Sequence, residues 1–160
     1  MFGAHQPRYL VAKDHNHCQD GSINIVNAVG VGFKRTKVID CIALALLALM
    51  VQAEAGSEPF EGKLAVAYVA VNRAEASSGL SHPLQMVLTQ PKQFKINPRL
   101  PVSEASMLAA RMALFHQQPD PTHGADHFYA HGVKPYPPWY DEKYMTVRIG
   151  NHTFLKLGGF

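Results

Sequence analysis

Between Thr36 and Ala55 the chain reads TKVIDCIALALLALMVQAEA, apolar at most positions and closed by Gly56-Ser57. Two incompatible structures fit such a run. With Lys34-Arg35-Thr36-Lys37 ahead of it and Ala53-Glu54-Ala55 as an A-x-A site, it has the parts of a cleaved secretory leader. It is equally a core helix that carries one carboxylate, Glu54, at its end. Three features favour the helix. The basic cluster begins far into the chain, whereas leaders place it at the start. Asp40 interrupts the border between basic and apolar residues, where leaders seldom carry an acid. The run also connects through a short Gly-Ser link to a second helical pattern, as an antiparallel helical hairpin does. A core helix is therefore expected, and Glu54 belongs to the folded protein. No uninterrupted apolar segment approaches the roughly 20 residues of a membrane-spanning helix.

The chain has 160 residues, enough for one domain with a real core. Its hydrophobic fraction of 47% and charged fraction of 17% are those of a globular protein. The net charge of +3, with 9 histidines that protonate below about pH 6.5, is a mild bias towards anionic partners and selects none. No cluster of basic residues interleaved with aromatics argues for nucleic acid. The 2 cysteines do not make a disulfide framework. Cys41 reads as a small core residue. Cys18 closes Asp14-His15-Asn16-His17-Cys18, whose side chains suit zinc but lie nearly consecutive with no second ligand pair. A structural or incidental role is the expectation, with no metal and no cofactor.

Residues 1–35 are polar and weakly periodic, with partial alternation from Ser22 to Val29, and read as an N-terminal arm of unassigned role. From Thr36 the spacing predicts a helix with Ile39, Ile42, Leu46, Leu49 and Met50 inward. Ser57 is a candidate cap for a second helix opening with Glu58 and Pro59 and reaching about Ala76, with Phe60, Leu64, Tyr68 and Val71 inward. Ser81-His82-Pro83 begins a shorter helix through Leu88, and Gln90 to Pro101 is a loop. Ser103 caps a fourth helix with Leu108, Met112 and Phe115 as its core side. After the turn residues Asp120 to Gly124 the period changes. Phe128–Ala130, Met145–Ile149 and His152–Leu155, the last two flanking Gly150-Asn151, read as short strands. The expected fold is mainly α (α+β), a helical body with a small C-terminal β element.

Glu54 faces the negative end of its own helix dipole and partly apolar neighbours, which should raise its pKa and suit it to act as a general acid. Physics alone makes a solvated helix-end glutamate the commoner outcome. Glu58 and Glu61 read as charges that stabilise the start of the next helix.

A resemblance shifts that balance. Ala53-Glu54-Ala55-Gly56-Ser57-Glu58-Pro59-Phe60-Glu61-Gly62-Lys63, followed by Val66 to Arg73, is similar to the signature of the SleB/CwlJ-type cell-wall hydrolases. Gln93-Phe94, Gly124 to Ala130, Pro138-Trp139 and Ile149 to Phe154 match in the same order. Together they span residues 38 to 156. The resemblance implies a lysozyme-like fold for residues 36–160 and cleavage of peptidoglycan glycan strands, with Glu54 as the one catalytic glutamate. Ser57, Lys63, the proline-rich stretch from Lys134 to Pro138 and the N-terminal arm depart from the family pattern, and none removes the glutamate.

One carboxyl group suffices for a lytic transglycosylase, which closes an anhydro ring with the sugar's own 6-hydroxyl, whereas hydrolases usually need two. Asp126 is the other acid in a matched block, at a place where the family demands none. The anhydro product is therefore expected, with a hydrolytic muramidase as the alternative. Gln93 is a candidate to hydrogen-bond an N-acetyl group, Tyr129 and Trp139 to stack on sugars, and His127 and His152 to orient groups in the cleft. Phe94 completes the candidate substrate site. For each, loop packing or core filling is the competing role. Asn72 is expected to tie its helix end to a neighbouring loop, and Arg73 to be solvated or paired. A non-catalytic peptidoglycan-binding module and a membrane protein anchored through Lys34 to Met50 are the readings outside catalysis. A monomer without stable membrane insertion is expected. The lack of a convincing leader fits a compact phage lysin released by a partner membrane protein.

Overall fold

The computed structural model describes residues 35–77 and 83–158, with side chains from Cys41 onward. The arm, its partial alternation and the His15-His17-Cys18 cluster lie outside the described residues. Among the described residues four helices precede the strands, α1 (Arg35–Ala55), α2 (Phe60–Ala76), α3 (Pro83–Thr89) and α4 (Glu104–Leu114). Three strands follow, β1 (His127–Ala130), β2 (Met145–Ile149) and β3 (His152–Leu155), with one 3-10 turn at Glu142–Tyr144 before β2. The expected helical body with a C-terminal β element is what forms.

The second helix is the axis of the core. Every residue of α2 from Gly62 to Val71 is buried, and α2 packs against α1, α3, α4 and the sheet. A helix covered on all sides needs no stripe, which is why its sequence is apolar nearly all round. The expected inner residues Leu64, Tyr68 and Val71 are buried, whereas Phe60 at its start is 38% exposed.

On α1 and α4 the buried faces differ from expectation. Along α1 the buried residues are Ala43, Leu44, Leu47, Ala48, Met50, Val51 and Ala55, while Ile42 is 41% exposed and Leu46 and Leu49 are half-buried. On α4 they are Ser106, Ala109, Ala110 and Ala113, and Leu108, Met112 and Phe115 lie at the flank. On α4 the physical reason is that an alanine and serine face lets helix backbones approach closely, so the small residues occupy the contact line and the large ones border it. On α1 the buried face is turned from the expected one and mixes small residues with Leu44, Leu47, Met50 and Val51, because α2, α3 and α4 all pack against it. Cys41 is a second correction, being half-buried and disulfide-bonded rather than a core thiol, with its partner outside the described residues.

Ser103 caps α4 as expected, its side chain accepting from the Ser106 N–H. Asn72 latches the end of α2 to the following turn, its Nδ2 donating to the Ala125 carbonyl at 2.9 Å and to Asp120 Oδ2 at 3.1 Å. The sheet order is β1-β3-β2, so the last strand in sequence is the central one. Directly paired residues share a face. Phe128 with Phe154 and Ala130 with His152 lie on one face, and His127 with Leu155 and Tyr129 with Thr153 on the other.

Candidate functional site

Glu54 sits in the last turn of α1, half-buried. The carbonyls that end α1 are satisfied by Lys63 from the first turns of α2. Its Nζ donates to Ala55 O at 3.0 Å, Gly56 O at 2.8 Å and Glu58 O at 2.5 Å. A buried ammonium there also opposes the negative end of the helix dipole. Lys63 is thus the cap that fixes the turn after Glu54.

Glu58 is not the solvated helix-start charge that the sequence suggests. It is 7% exposed, and α2 begins beyond it at Phe60, with Pro59 rather than Ser57 in the cap position. The reason is that its side chain reaches away to the β2–β3 turn. Oε2 accepts from the Asn151 backbone N–H at 2.9 Å, and Oε1 from Asn151 Nδ2 at 3.0 Å. Gly150, at φ +56°, admits this approach, since a Cβ there would stand 2.0 Å from Glu58 Oε2. His152 Nδ1 lies 3.8 Å from Glu58 Oε1. Burial pushes the Glu58 carboxyl up, but the two Asn151 donors, then His152 and Lys63, outweigh it and hold it below its ordinary range. Burial pulls the His152 imidazole down, against the opposing charges of Glu58 and Glu54.

These two shifts have the same sign in stability. Between its folded value and its ordinary 6.5, His152 is protonated in the unfolded chain and not in the folded one, so stability falls as pH drops below about 6.5. The contribution of Glu58 is present above its ordinary 4.5 and is lost as pH falls through the lower folded value. The melting temperature is expected to fall progressively from pH 7 to pH 4. His152→Gln should flatten the upper part of that fall, and an unchanged profile in a melting series would contradict this.

The loop after α3 closes over Glu54. The Lys95 backbone N–H donates to Glu54 Oε1 at 2.6 Å. Two residues earlier, Gln93 Oε1 accepts from Arg73 Nη1 at 2.8 Å. Phe94 lies under the Arg73 guanidinium, 4.7 Å from it, and stacks on Phe128 with ring centres 6.4 Å apart. Phe128 in turn meets the edge of His152 at 5.2 Å. Arg73 is therefore buried and paired, and burial lowers its guanidinium to about 10 against the pull of Asp126. Glu54, Gln93, Phe94 and His152 are brought together on the helix-facing side of the sheet.

His127, Tyr129 and Trp139 are not brought to that face. His127 Nδ1 pairs with Asp126 Oδ1 at 2.9 Å, and its ring packs on Trp139 at 4.8 Å. Tyr129, 8% exposed, lies among Tyr136, Trp139 and Tyr140. Its hydrogen bond to Tyr140 pushes that phenol up to about 12. Trp139 itself is 38% exposed. Asp126, considered above as a second acid, is buried with both oxygens engaged. Besides His127 it accepts the Leu157 N–H at 2.8 Å and the Gly158 N–H at 2.7 Å. Burial pushes its carboxyl up, but these donors hold it below the usual range. The sequence missed Glu58, Lys63 and Arg73 as site-building residues. The available signal was that all three are charged and lie within or beside an otherwise apolar helix.

Among the described residues no three His, Cys, Asp or Glu side chains converge to hold a metal ion, and no helix is long and apolar enough to cross a membrane. An open depression lined by Tyr68, Asn72, Glu75, His116 and Asp120 includes neither Glu54 nor its loop.

Comparison with known proteins bears on this arrangement. The family model described as Cell Wall Hydrolase matches residues 57–155, a stretch that opens just after Glu54 and contains Glu58, Lys63 and Arg73. No curated protein matches the chain. Among solved structures, the catalytic domain of the Bacillus cereus SleB protein matches with a TM-score of 0.57 and 24% identity, over 79% of this chain and 94% of that one. The catalytic domain of the germination-specific lytic transglycosylase SleB from Bacillus anthracis matches with a TM-score of 0.59 and 25% identity, over 78% of this chain and 98% of that one. The helical body and its C-terminal sheet are thus the fold of the SleB catalytic domain, and the chain belongs to the cell wall hydrolase family, of the SleB/CwlJ type.

Proposed function

We propose that this protein cleaves the glycan strand of peptidoglycan between N-acetylmuramic acid and N-acetylglucosamine, as a lytic transglycosylase with Glu54 as its single acid and base. The observation that carries the reading is the difference among three carboxylates. Glu58 and Asp126 are buried with both oxygens taken by hydrogen-bond donors, whereas Glu54 is half-exposed and accepts the Lys95 N–H at Oε1. A hydrolase needs a second carboxylate as nucleophile or water-activating base, and neither buried acid is disposed to serve. The similarity to a SleB domain described as a lytic transglycosylase points the same way.

In the proposed reaction Glu54 gives its proton to the bridging oxygen as the bond to the muramyl C1 breaks. The resulting carboxylate then takes the proton of the 6-hydroxyl as that oxygen attacks C1. The ring closes without water and Glu54 returns to its acid form. Phe94 fits a contact with the reacting disaccharide, whereas the amide oxygen of Gln93 is taken by Arg73 Nη1. Of the aromatic group on the other face, Trp139 offers an exposed surface to a more distant sugar, with His127 and Tyr129 supporting it from beneath.

Mass spectrometry of fragments released from purified cell walls tests the reading. Muropeptides lighter by one water than hydrolysis products are expected. Hydrated products would replace transglycosylation by hydrolysis, and intact walls would favour a binding module. The proposal also places the activity in residues 36–160. A shortened chain beginning at Lys34 is expected to clear walls at close to the full-length rate, and a folded but inactive one would assign the arm to the site.

A further inference from the structure

We propose that Arg73 is the positioning residue for the Glu54 carboxylate, acting through the loop that holds it. This rests on the reading of Glu54 as the catalytic acid and base.

The loop from Gln90 to Ser103 has no helix or strand of its own, and Lys92 stands in it at φ +65°. Gln93 and Lys95 are exposed, and the segment meets the core only through the partly buried side chains of Phe94, Ile96 and Val102. It nevertheless supplies the Lys95 N–H that holds Glu54 Oε1 at 2.6 Å. Arg73 grips the two preceding residues in two ways, through the 2.8 Å bond to Gln93 and through its guanidinium plane on the Phe94 ring. Its own position is fixed from a third direction, where Nε donates to the Asp126 carbonyl at 2.5 Å. Asp126 is tied to the central strand by its N–H to Leu155 O at 3.0 Å. One planar cation thus joins the sheet to the loop, and the loop's next amide sets the carboxylate.

Only arginine suits this place. Its fork sends donors along two directions while its face remains free to lie on an aromatic ring, whereas lysine offers a single compact charge. Catalytic geometry is sensitive to such support, since a displacement of about 1 Å costs roughly 100-fold in rate.

The test compares Arg73→Lys, Gln93→Ala and Glu54→Gln in the full chain on purified walls, with hydrogen exchange followed in the peptide that contains Gln93 to Lys95. Arg73→Lys is expected to lower turnover at saturating wall by about 10- to 100-fold. The half-saturating wall concentration should stay unchanged, and exchange at the loop should rise. Gln93→Ala, at an exposed position that does not threaten folding, should shift the same two readouts in the same direction by a smaller factor. If Arg73→Lys does not fold, Gln93→Ala decides. Wild-type turnover with unchanged loop exchange overturns the proposal, as does a change confined to the half-saturating concentration, which would make these residues substrate contacts. An active Glu54→Gln protein would instead overturn the catalytic reading, independently of what the loop exchange reports.

Discussion

Glu54→Gln is expected to lower wall-cleaving turnover by about 10³-fold or more while leaving the melting temperature near that of the wild type. General acid-base assistance alone is worth roughly 10² to 10⁴ in rate, and here one group is assigned both halves of it. Glutamine keeps the size of the side chain, and its carbonyl oxygen still accepts the Lys95 N–H that reaches Glu54 Oε1. What it lacks is the transferable proton. The control is Glu61→Gln, in the exposed first turn of α2, where a lost helix-end charge costs a few tenths of a kcal/mol and about none of the activity. Turnover within tenfold of wild type in a well-folded Glu54→Gln protein would remove Glu54 from the chemistry.

The second large effect is on stability. Glu58→Ala removes the acceptor of two hydrogen bonds from Asn151 and a negative charge that acts on buried Lys63 and His152. Hydrogen bonds to a charged group contribute about 1.5–3 kcal/mol each. Part of this is recovered because Asn151 is exposed and can bond to water. A net loss of about 3 kcal/mol, or roughly 10 °C in melting temperature, is expected. Glu58→Gln should cost less but not nothing, because its amide NH2 must face one of the two Asn151 donors. Thermal melts of the two variants check the order, and an unchanged melting temperature for Glu58→Ala would show the clamp to be idle.

The contrast between these glutamates shows what local pattern can and cannot reveal. The sequence located β2, β3 and the Gly150-Asn151 turn because alternation and turn chemistry are local. It placed α1 through α4 within a few residues for the same reason. It misjudged the buried face of α4 because ranking by side-chain size ignores how closely an alanine face lets helices approach, and that of α1 because a helix packed against three others buries more than one narrow stripe. Glu58 was read as a helix-start charge because its partner Asn151 is remote in the chain, and no periodicity reports such a pairing. The candidate sugar contacts divided for a similar reason. Phe128 and Tyr129 are neighbours in sequence, but adjacent residues of a strand point to opposite faces, so Tyr129 and His127 turn away from Glu54 while Phe128 turns towards it.

The clamp between Glu58 and Asn151 spans 93 residues of chain, and that separation has a temporal meaning. At ribosomal rates of about 5–20 residues per second, Glu54 and its helix leave the tunnel some 5 to 20 s before the residue that locks their turn in place. The central strand of the sheet is also the last to be made. A nascent chain that stops short of Asn151 therefore carries Glu58 without the two donors that hold it.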